Sequence, residues 1–144
     1  MSCYVNTILK TDRLIEKLVA LLKETNESYS LIYFSDHGLV HINNENIEEI
    51  SLDYDGKFKQ AYDVPFFKIS SDDTERKIVD VKRSAVNFIY GFSQWLGINT
   101  EELNNNYDFF SERNDENIEV FDFEKNVSYD SLKEDEIPQI SQQQ

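Results

Sequence analysis

The sequence predicts an α/β domain whose elements run in the order helix, strand, long loop, strand, helix. Three observations support this fold class: a helical apolar repeat from Val5 to Lys23, four apolar residues from Leu31 to Phe34, and a second helical repeat that begins at Ile78. The chain of 144 residues has the length of one domain, and its hydrophobic content of 40% is enough for a modest core.

The first helical repeat predicts an amphipathic helix that covers one face of a sheet. Its apolar residues recur at helical spacing: Ile8, Ile15, Leu18, Val19 and Leu22. The segment Leu31–Phe34 has the composition of a strand buried on both faces of a parallel sheet. A second strand is predicted over Val64–Ile69, where Pro65 stands near the start and its missing N–H is tolerated.

The long connection over residues 38–62 follows the first strand, and loops of this length are usually functional or mobile. Within it, Ile47, Ile50 and Leu52 indicate a short element, either helix or strand. The second helix is predicted from Ile78 to Leu96, with Gly97 as its stop. Its aromatic stripe is typical of a core, although a binding groove is the alternative: Phe88, Phe92 and Trp95.

Acidic charge is concentrated towards the C-terminus. Residues 1–98 contain 15 acidic and 11 basic residues, net −4, whereas residues 99–144 contain 13 and 3, net −10. The total of −14 argues against nucleic acid as a partner. We therefore predict an α/β portion over 1–98, an acidic extension over 99–130 and a disordered tail over 131–144. Within the extension, Ile118–Phe123 and Val127–Tyr129 predict a pair of edge strands.

Cysteine usage and targeting signals leave the compartment undetermined. Cys3 is the single cysteine, so an internal disulfide is excluded, and no Cys/His spacing indicates a structural zinc site. The sequence shows neither a signal-peptide pattern nor an apolar run of about 18 residues, so the expectation is a soluble chain without an export signal.

The triplet Asp36-His37-Gly38 follows the apolar run of the first predicted strand. Ligands in open α/β sheets bind beyond the carboxyl ends of the strands, and an aspartate and a histidine there are suitable metal ligands. Gly38 would let the backbone turn sharply. The alternative is structural, with the aspartate capping a turn and the histidine satisfied by a hydrogen bond.

Four segments occur in a characteristic order: Tyr4–Asp12, Leu31–Gly38, Tyr62–Phe67 and Leu96–Ile98. In this order they resemble the C-terminal part of the catalytic domain of sulfatase-like phosphoethanolamine transferases, within the alkaline phosphatase superfamily. The resemblance covers roughly Cys3 to Ile98. It implies a partial alkaline-phosphatase/sulfatase-like sandwich, followed by the strand pair and the acidic tail.

The resemblance also implies a divalent metal, usually zinc, that activates a threonine nucleophile to take up phosphoethanolamine. Asp36 and His37 match two metal-ligand positions of the family. The nucleophile, a further acidic ligand and the membrane-spanning helices lie N-terminal to this region in the family. Thr7 and Thr11 match residues of the helix before the Asp-His strand, so neither takes the nucleophile's role.

Departures from the family pattern lie in the loop after Gly38. Leu39 stands where the family commonly has an acidic residue, and His41 lies too close to His37 to match the family's later histidine. His41 is either an additional ligand or an unrelated loop residue. Lys57 and Lys59 either contact a phosphate or form a solvated pair.

The sequence thus predicts a fragment of a metal-dependent phosphoethanolamine transferase or sulfatase-like hydrolase, inactive alone because the nucleophile lies elsewhere. The alternative is a non-catalytic acidic binding or regulatory module on the same scaffold. The implied partners are a separately encoded or missing N-terminal half and a lipid or glycan acceptor. By resemblance, the family works at the inner membrane with its catalytic domain in the periplasm.

Overall fold

The computed structural model describes residues 3–42, 51–103 and 106–135, which form two compact units. The first unit comprises residues 1–35 and 65–76, and the second comprises residues 36–64 and 77–144. The predicted Ile47 and Ile50, and residues 136–144 of the predicted tail, lie outside the described residues. No helix of the described ranges is long and apolar enough to cross a membrane.

The first unit contains helix α1 (Cys3–Glu24) and the strands β1 (Ser30–Phe34) and β4 (Phe66–Ser70). α1 confirms the first predicted helix, and both predicted strands are present. The prediction of a parallel sheet is wrong for these residues, because β1 pairs antiparallel with β4, from Ser30 opposite Ser70 to Phe34 opposite Phe66. β1 is also only half-buried and not covered on both faces.

One apolar stripe of α1 faces β4 across a groove. Ile15 and Val19 of the helix share a groove with Phe67 and Ile69 of the strand. Other apolar residues of α1 remain exposed to solvent, at 39–59% of their surface: Tyr4, Val5, Ile8, Leu9, Leu14, Leu18 and Leu21. The helix therefore buries only part of its apolar surface within the first unit.

The second unit begins with β2 (Val40–Ile42), which pairs antiparallel with β3 (Ser51–Asp53). Leu52 therefore lies in a strand, which decides between the helix and strand alternatives at this residue. β5 (Glu119–Phe121) and β6 (Asn126–Ser128) form an antiparallel hairpin, which confirms the predicted strand pair. Short 3₁₀ turns complete the unit: Lys59–Ala61, Ala85–Asn87 and Tyr129–Ser131.

The second predicted helix is shorter than its apolar repeat. Helix α2 covers only Phe88–Trp95, after the 3₁₀ turn, so the predicted start at Ile78 is wrong. Hydrogen bonds to a distant segment explain the late start: the backbone N–H of Lys82 donates to Asn114 Oδ1 (2.8 Å) and that of Ser84 to Asp115 Oδ2 (2.7 Å). These N–H groups bind side chains and not the carbonyls of a preceding helical turn.

The predicted glycine stop of α2 is confirmed. Gly97 has a φ of 70°, its N–H donates to the carbonyl of Gln94, and the N–H of Ile98 donates to that of Ser93. This is the Schellman arrangement, which requires the left-handed conformation that glycine adopts most easily. The aromatic stripe of α2 packs on itself, with ring centroids 5.4 Å apart for Phe88 and Phe92.

Candidate metal centre

The loop that carries Asp36 and His37 is held in place through Gly38. The Gly38 N–H donates to the carbonyl of Ala61 at 2.8 Å, and a Cβ at this position would overlap the carbonyl oxygen of Gln60. The loop therefore lies directly against the 3₁₀ turn that contains Ala61, which is fully buried. Glycine is needed at residue 38 because of this close backbone approach.

The hydrogen bonds of His37 define its tautomer. Its Nδ1 lies 2.8 Å from the Gly38 carbonyl oxygen, which can only accept, so Nδ1 carries the proton and Nε2 has the lone pair in the neutral ring. A backbone carbonyl on one ring nitrogen is the usual partner of a histidine whose other nitrogen binds a metal. The sequence prediction of a satisfied histidine and that of a ligand histidine are thus compatible.

Asp36 and His37 present an oxygen and a nitrogen close to one another. Asp36 Oδ2 lies 3.9 Å from His37 Nε2, while Asp36 Oδ1 accepts the backbone N–H of His37 at 3.0 Å. Two ligands of a tetrahedral zinc ion are about 3.4 Å apart, given metal–ligand distances of about 2.1 Å. The two side chains therefore fit a shared divalent cation after a small rotation, and both are accessible, at 87% and 47% exposure.

The described residues around this pair contribute no third ligand. Within the described ranges there is no group of three or more His, Cys, Asp and Glu side chains that could hold a metal ion. His41 is committed to another contact, because its Nδ1 and its backbone N–H both lie 2.8 Å from Asp135 Oδ2. His41 therefore pairs with the carboxylate of Asp135 in this structure.

The two lysines of the loop differ in their surroundings. Lys59 Nζ lies 2.6 Å from Glu134 Oε1, and this hydrogen bond raises the pKa of the Lys59 ammonium. Lys57 is exposed, and its backbone N–H donates to Asp55 Oδ1 at 3.0 Å. The solvated-pair interpretation therefore does not hold for Lys59, whose side chain is 19% exposed.

An aromatic wall, formed by Tyr54, Tyr62, Phe121 and Phe123, lies beside His37. The Tyr54 ring contacts both His37 and Phe123, with centroids 5.2 Å apart in each pair and the rings nearly perpendicular. Tyr62 O–H lies within hydrogen-bond distance of two carbonyl oxygens, Gly56 O at 3.1 Å and Phe121 O at 3.0 Å. No sequence pattern links these residues, because the wall joins the long loop to the acidic extension.

The phenol of Tyr62, in the aromatic wall, has a raised pKa. Burial is the main reason that the pKa of the Tyr62 phenol is raised, and the neighbouring Tyr54, Asp122 and Asp55 raise it further. The phenol of Tyr62 therefore stays protonated and is a stable hydrogen-bond donor.

Thr7 and Thr11 lie on α1, as the sequence resemblance implied. Each hydroxyl donates to a carbonyl of the preceding helical turn: Thr7 to Cys3 (3.0 Å) and Thr11 to Thr7 (3.2 Å). These are local helix contacts of the kind that threonine commonly makes.

Comparison with known proteins identifies the family of the chain. The sequence profile of the Sulfatase family matches residues 1–98, which include α1, β1, Asp36, His37 and α2. Phosphoethanolamine transferase OpgE of Escherichia coli is 40% identical over 136 residues, covering 93% of this chain and 25% of that protein. A Haemophilus influenzae protein, whose name provisionally assigns it to the same transferases, is 43% identical over 49 residues, covering 31% of this chain and 10% of that protein.

The chain spans about a quarter of the length of the E. coli relative, and the similarity continues past residue 98 into the acidic extension. No solved structure matches the chain significantly. The resemblance predicted from the four ordered segments is confirmed by the profile match over more than half of the residues, and the chain belongs to the sulfatase family.

Proposed function

We propose that this chain is the C-terminal part of a metal-dependent phosphoethanolamine transferase, in which Asp36 and His37 are two ligands of a divalent cation, zinc by resemblance. The observation that carries the proposal is the paired arrangement of these side chains, 3.9 Å apart, with Nδ1 of His37 held by the Gly38 carbonyl. The same segment lies within the region of 40% identity to a phosphoethanolamine transferase.

Each residue has a defined part in holding the cation. Asp36 supplies a negative charge and a hard oxygen ligand, and the neutral ring of His37 supplies the Nε2 lone pair. The Gly38 carbonyl fixes the ring orientation and the tautomer. A bound cation at this position supplies Lewis acidity, which lowers the pKa of a coordinated hydroxyl and stabilises negative charge on phosphoryl oxygens.

The remaining parts of the reaction belong to residues outside this chain. Thr7 and Thr11 make helix contacts, and the resemblance places the threonine nucleophile in another segment of such an enzyme. We propose that the chain alone does not turn over substrate. The substrate would be a phosphoethanolamine donor with a lipid or glycan acceptor, at the membrane location that the resemblance implies.

The fold element of the proposal is the alkaline-phosphatase/sulfatase-like sandwich. α1 and the antiparallel pair of β1 and β4 would be part of its layers, with the exposed apolar residues of α1 covered by the N-terminal portion of such a domain. Burial of these residues would remove apolar surface from water, which is the main driving force of association. An N-terminal half, separately encoded or continuous with this chain, is therefore the proposed partner.

The metal proposal is tested by calorimetric titration of zinc into the chain and into matched variants. His37→Gln and Asp36→Asn each remove one ligand, so we expect weaker binding in both. His41→Gln and Asp72→Asn are the controls, because His41 pairs with Asp135 and Asp72 is exposed in the first unit. Equal zinc affinity in wild type, His37→Gln and His41→Gln would contradict the proposal.

A second candidate function is a non-catalytic acidic module that binds a basic partner. Residues 99–144 carry a net charge of −10, and several of their carboxylates are exposed. Binding would then weaken steeply with salt. Replacement of the exposed Glu116, Glu119 and Glu124 by glutamine should abolish capture of a basic peptide, and unchanged capture would exclude this function.

A further inference from the structure

Phe123 is held in a backbone conformation that disfavours a bulky side chain. Among the described non-glycine residues with positive φ, two are asparagines, which tolerate the left-handed region, and the third is Phe123 with a φ of 76°. Asp122 fixes the turn, because its Oδ1 accepts the N–H groups of Glu124 (3.0 Å) and Lys125 (2.9 Å). Backbone strain of this kind concentrates at functional sites.

The strained turn presents an aromatic ring to solvent. Phe123 is 69% exposed, and Phe121 on the same hairpin is 56% exposed. Folding gains little from a ring that remains mostly in water, so neither burial nor backbone preference accounts for phenylalanine at residue 123. An exposed ring on a strained backbone is free to contact a ligand, and such a contact would explain why phenylalanine stands here.

The ring stands at a corner formed with Tyr54. The two rings are inclined at 76° with centroids 5.2 Å apart, and Tyr54 makes a similar perpendicular contact with His37. The contact is edge-to-face, and the faces of Phe123 that stay open to solvent carry the negative charge density that attracts ammonium groups. Tyr54 is therefore one ring contact, and Phe123 two ring contacts, away from the proposed metal ligand His37.

Both carboxylates and lysines lie in the two turns that form this corner. A Cβ on Gly56 would lie 3.5 Å from Asp122 Cα, so the turn that contains Asp55 and Gly56 meets the turn that contains Phe123. Asp55 accepts the N–H of Lys57, and Asp122 accepts the N–H groups of Glu124 and Lys125, so both carboxylates lie within these turns. Lys57 and Lys125 in the same turns are exposed and carry the opposite charge.

We propose that Tyr54 and Phe123 bind an alkylammonium group beside His37. Under the proposed transferase function, this group is the ammonium of a short zwitterion in which a two-carbon linker joins it to a phosphate. Such a ligand exists as a lipid head group and as a soluble phosphate ester. This inference rests on the proposed transferase function and names the part of the site that recognises ethanolamine.

Phosphoethanolamine and 2-hydroxyethyl phosphate form the test pair, because they differ in the ammonium alone. Both are titrated into the isotope-labelled full chain with EDTA present, and backbone amide shifts are followed by NMR. We expect shifts at Tyr54 and Phe123, and an affinity about 3- to 30-fold higher for phosphoethanolamine. Equal affinity for the two ligands would overturn the proposal. Because metal is absent, failure here leaves the zinc titration as an independent test of the metal ligands.

Variants at residue 123 separate binding from folding. Phe123→Leu retains the strained backbone without the ring, and we expect the preference for phosphoethanolamine to fall to near unity. Phe123→Gly also removes the ring but relieves the strain, so it should bind as weakly while melting at a higher temperature. Phe67→Leu, in the first unit, is the matched control and should bind as wild type does. Wild-type affinity in Phe123→Gly would refute the role of the ring.

The source of the ammonium is distinguished with vesicles. Sedimentation with vesicles that contain phosphatidylethanolamine, but not with phosphatidylglycerol vesicles, would assign the lipid head group, provided that Phe123→Leu abolishes it. Binding of soluble phosphoethanolamine without vesicle sedimentation would assign the soluble ester. Sedimentation that is equal for both vesicle types and for Phe123→Leu would count against an ammonium site.

Discussion

Gly91 of α2 lies directly against the ring of Phe109, which is 7% exposed and belongs to the core of the second unit. A Cβ on Gly91 would overlap three atoms of that ring. Gly91→Ala should therefore destabilise the chain, although alanine is the better helix former by about 1 kcal/mol. We expect a net loss of about 1–3 kcal/mol from overpacking, measured by urea unfolding.

The control for this prediction is the double variant Gly91→Ala/Phe109→Leu. A smaller side chain at residue 109 leaves room for the new methyl group, so the two effects should not add. Gly97→Ala is a second comparison, since nothing lies within 4 Å of its Cβ position and only its φ of 70° opposes the substitution. Additive losses in the double variant would show that the Phe109 ring is not the obstacle.

Asp115 joins the segment before α2 to the acidic extension. Its side chain is 7% exposed and accepts hydrogen bonds from the Ser84 N–H (2.7 Å), Asn87 Nδ2 (3.0 Å) and the Tyr107 hydroxyl (2.7 Å). Asp115→Ala leaves these three donors without their acceptor and removes the partner of Arg83 Nη1, while the rest of that guanidinium still donates to Phe109 and Ser111. We expect a loss of about 3–5 kcal/mol in the free energy of unfolding.

Titration of Asp115 makes this contribution depend on pH. Burial alone would raise the pKa of the carboxyl, but the hydrogen bonds and Arg83 outweigh it and lower the pKa below its ordinary value. A depressed pKa stabilises the fold above the unfolded value of about 3.9, and that stability is lost as the pH falls further. Asp115→Asn should therefore flatten the acid limb of the stability curve between pH 5 and pH 2.

Local patterns in the sequence predicted the elements whose contacts are also local. α1 follows from its apolar repeat, and the end of α2 follows from Gly97, because a helix and its cap depend on residues a few positions apart. The start of α2 was mispredicted because Asn114 and Asp115 bind the backbone before it. The apolar repeat from Ile78 is a local pattern and cannot indicate acceptors about 30 residues further along the chain.

The candidate site shows the same division. Asp36 and His37 were predicted from one short segment and its family order, whereas Tyr54 and Phe123 meet only through the fold. His41 and Asp135 likewise pair across the second unit, so their relationship could not be read from spacing. Side chains brought together from distant segments leave no periodic signal in a single sequence.

Tyrosine ionisation should limit stability at alkaline pH. Burial is the main cause that raises the pKa of Tyr107 to about 12, and burial likewise raises the pKa values of Tyr62 and Tyr129. A raised pKa means that the fold is stabilised below the unfolded value of about 10 and loses that stability as the pH rises through the folded values. We expect unfolding and tyrosinate absorbance to rise together above pH 10.

Tyr129→Phe and Tyr62→Phe separate the contributors to alkaline unfolding. The Tyr129 hydroxyl donates to Asp63 Oδ1 at 2.7 Å, and that carboxylate raises the pKa of the phenol further than burial alone. Tyr129→Phe should therefore shift the midpoint of alkaline unfolding to a higher pH. Tyr4→Phe is the control, because Tyr4 is 46% exposed on α1. An alkaline midpoint that is the same in all three variants would point to another titrating group.

Asp135 ties the C-terminal segment to β2 through His41. One carboxylate oxygen, Oδ2, lies 2.8 Å from both the backbone nitrogen and Nδ1 of His41, and the Asp135 N–H donates to Gln60 Oε1 at 2.8 Å. The Asp135 side chain is only 8% exposed. Asp135→Ala should therefore cost about 2–3 kcal/mol and increase hydrogen exchange at the His41 amide.

Glu134→Gln provides the matched control for this tie. Glu134 pairs with Lys59, but its side chain is 63% exposed, and an exposed ion pair contributes about 0–1 kcal/mol. The exchange rate at the His41 amide should stay at the wild-type value in Glu134→Gln and rise at least tenfold in Asp135→Ala. Equal protection of this amide in both variants would mean that the N–H of His41 is shielded by the β2/β3 hairpin and not by the Asp135 carboxylate.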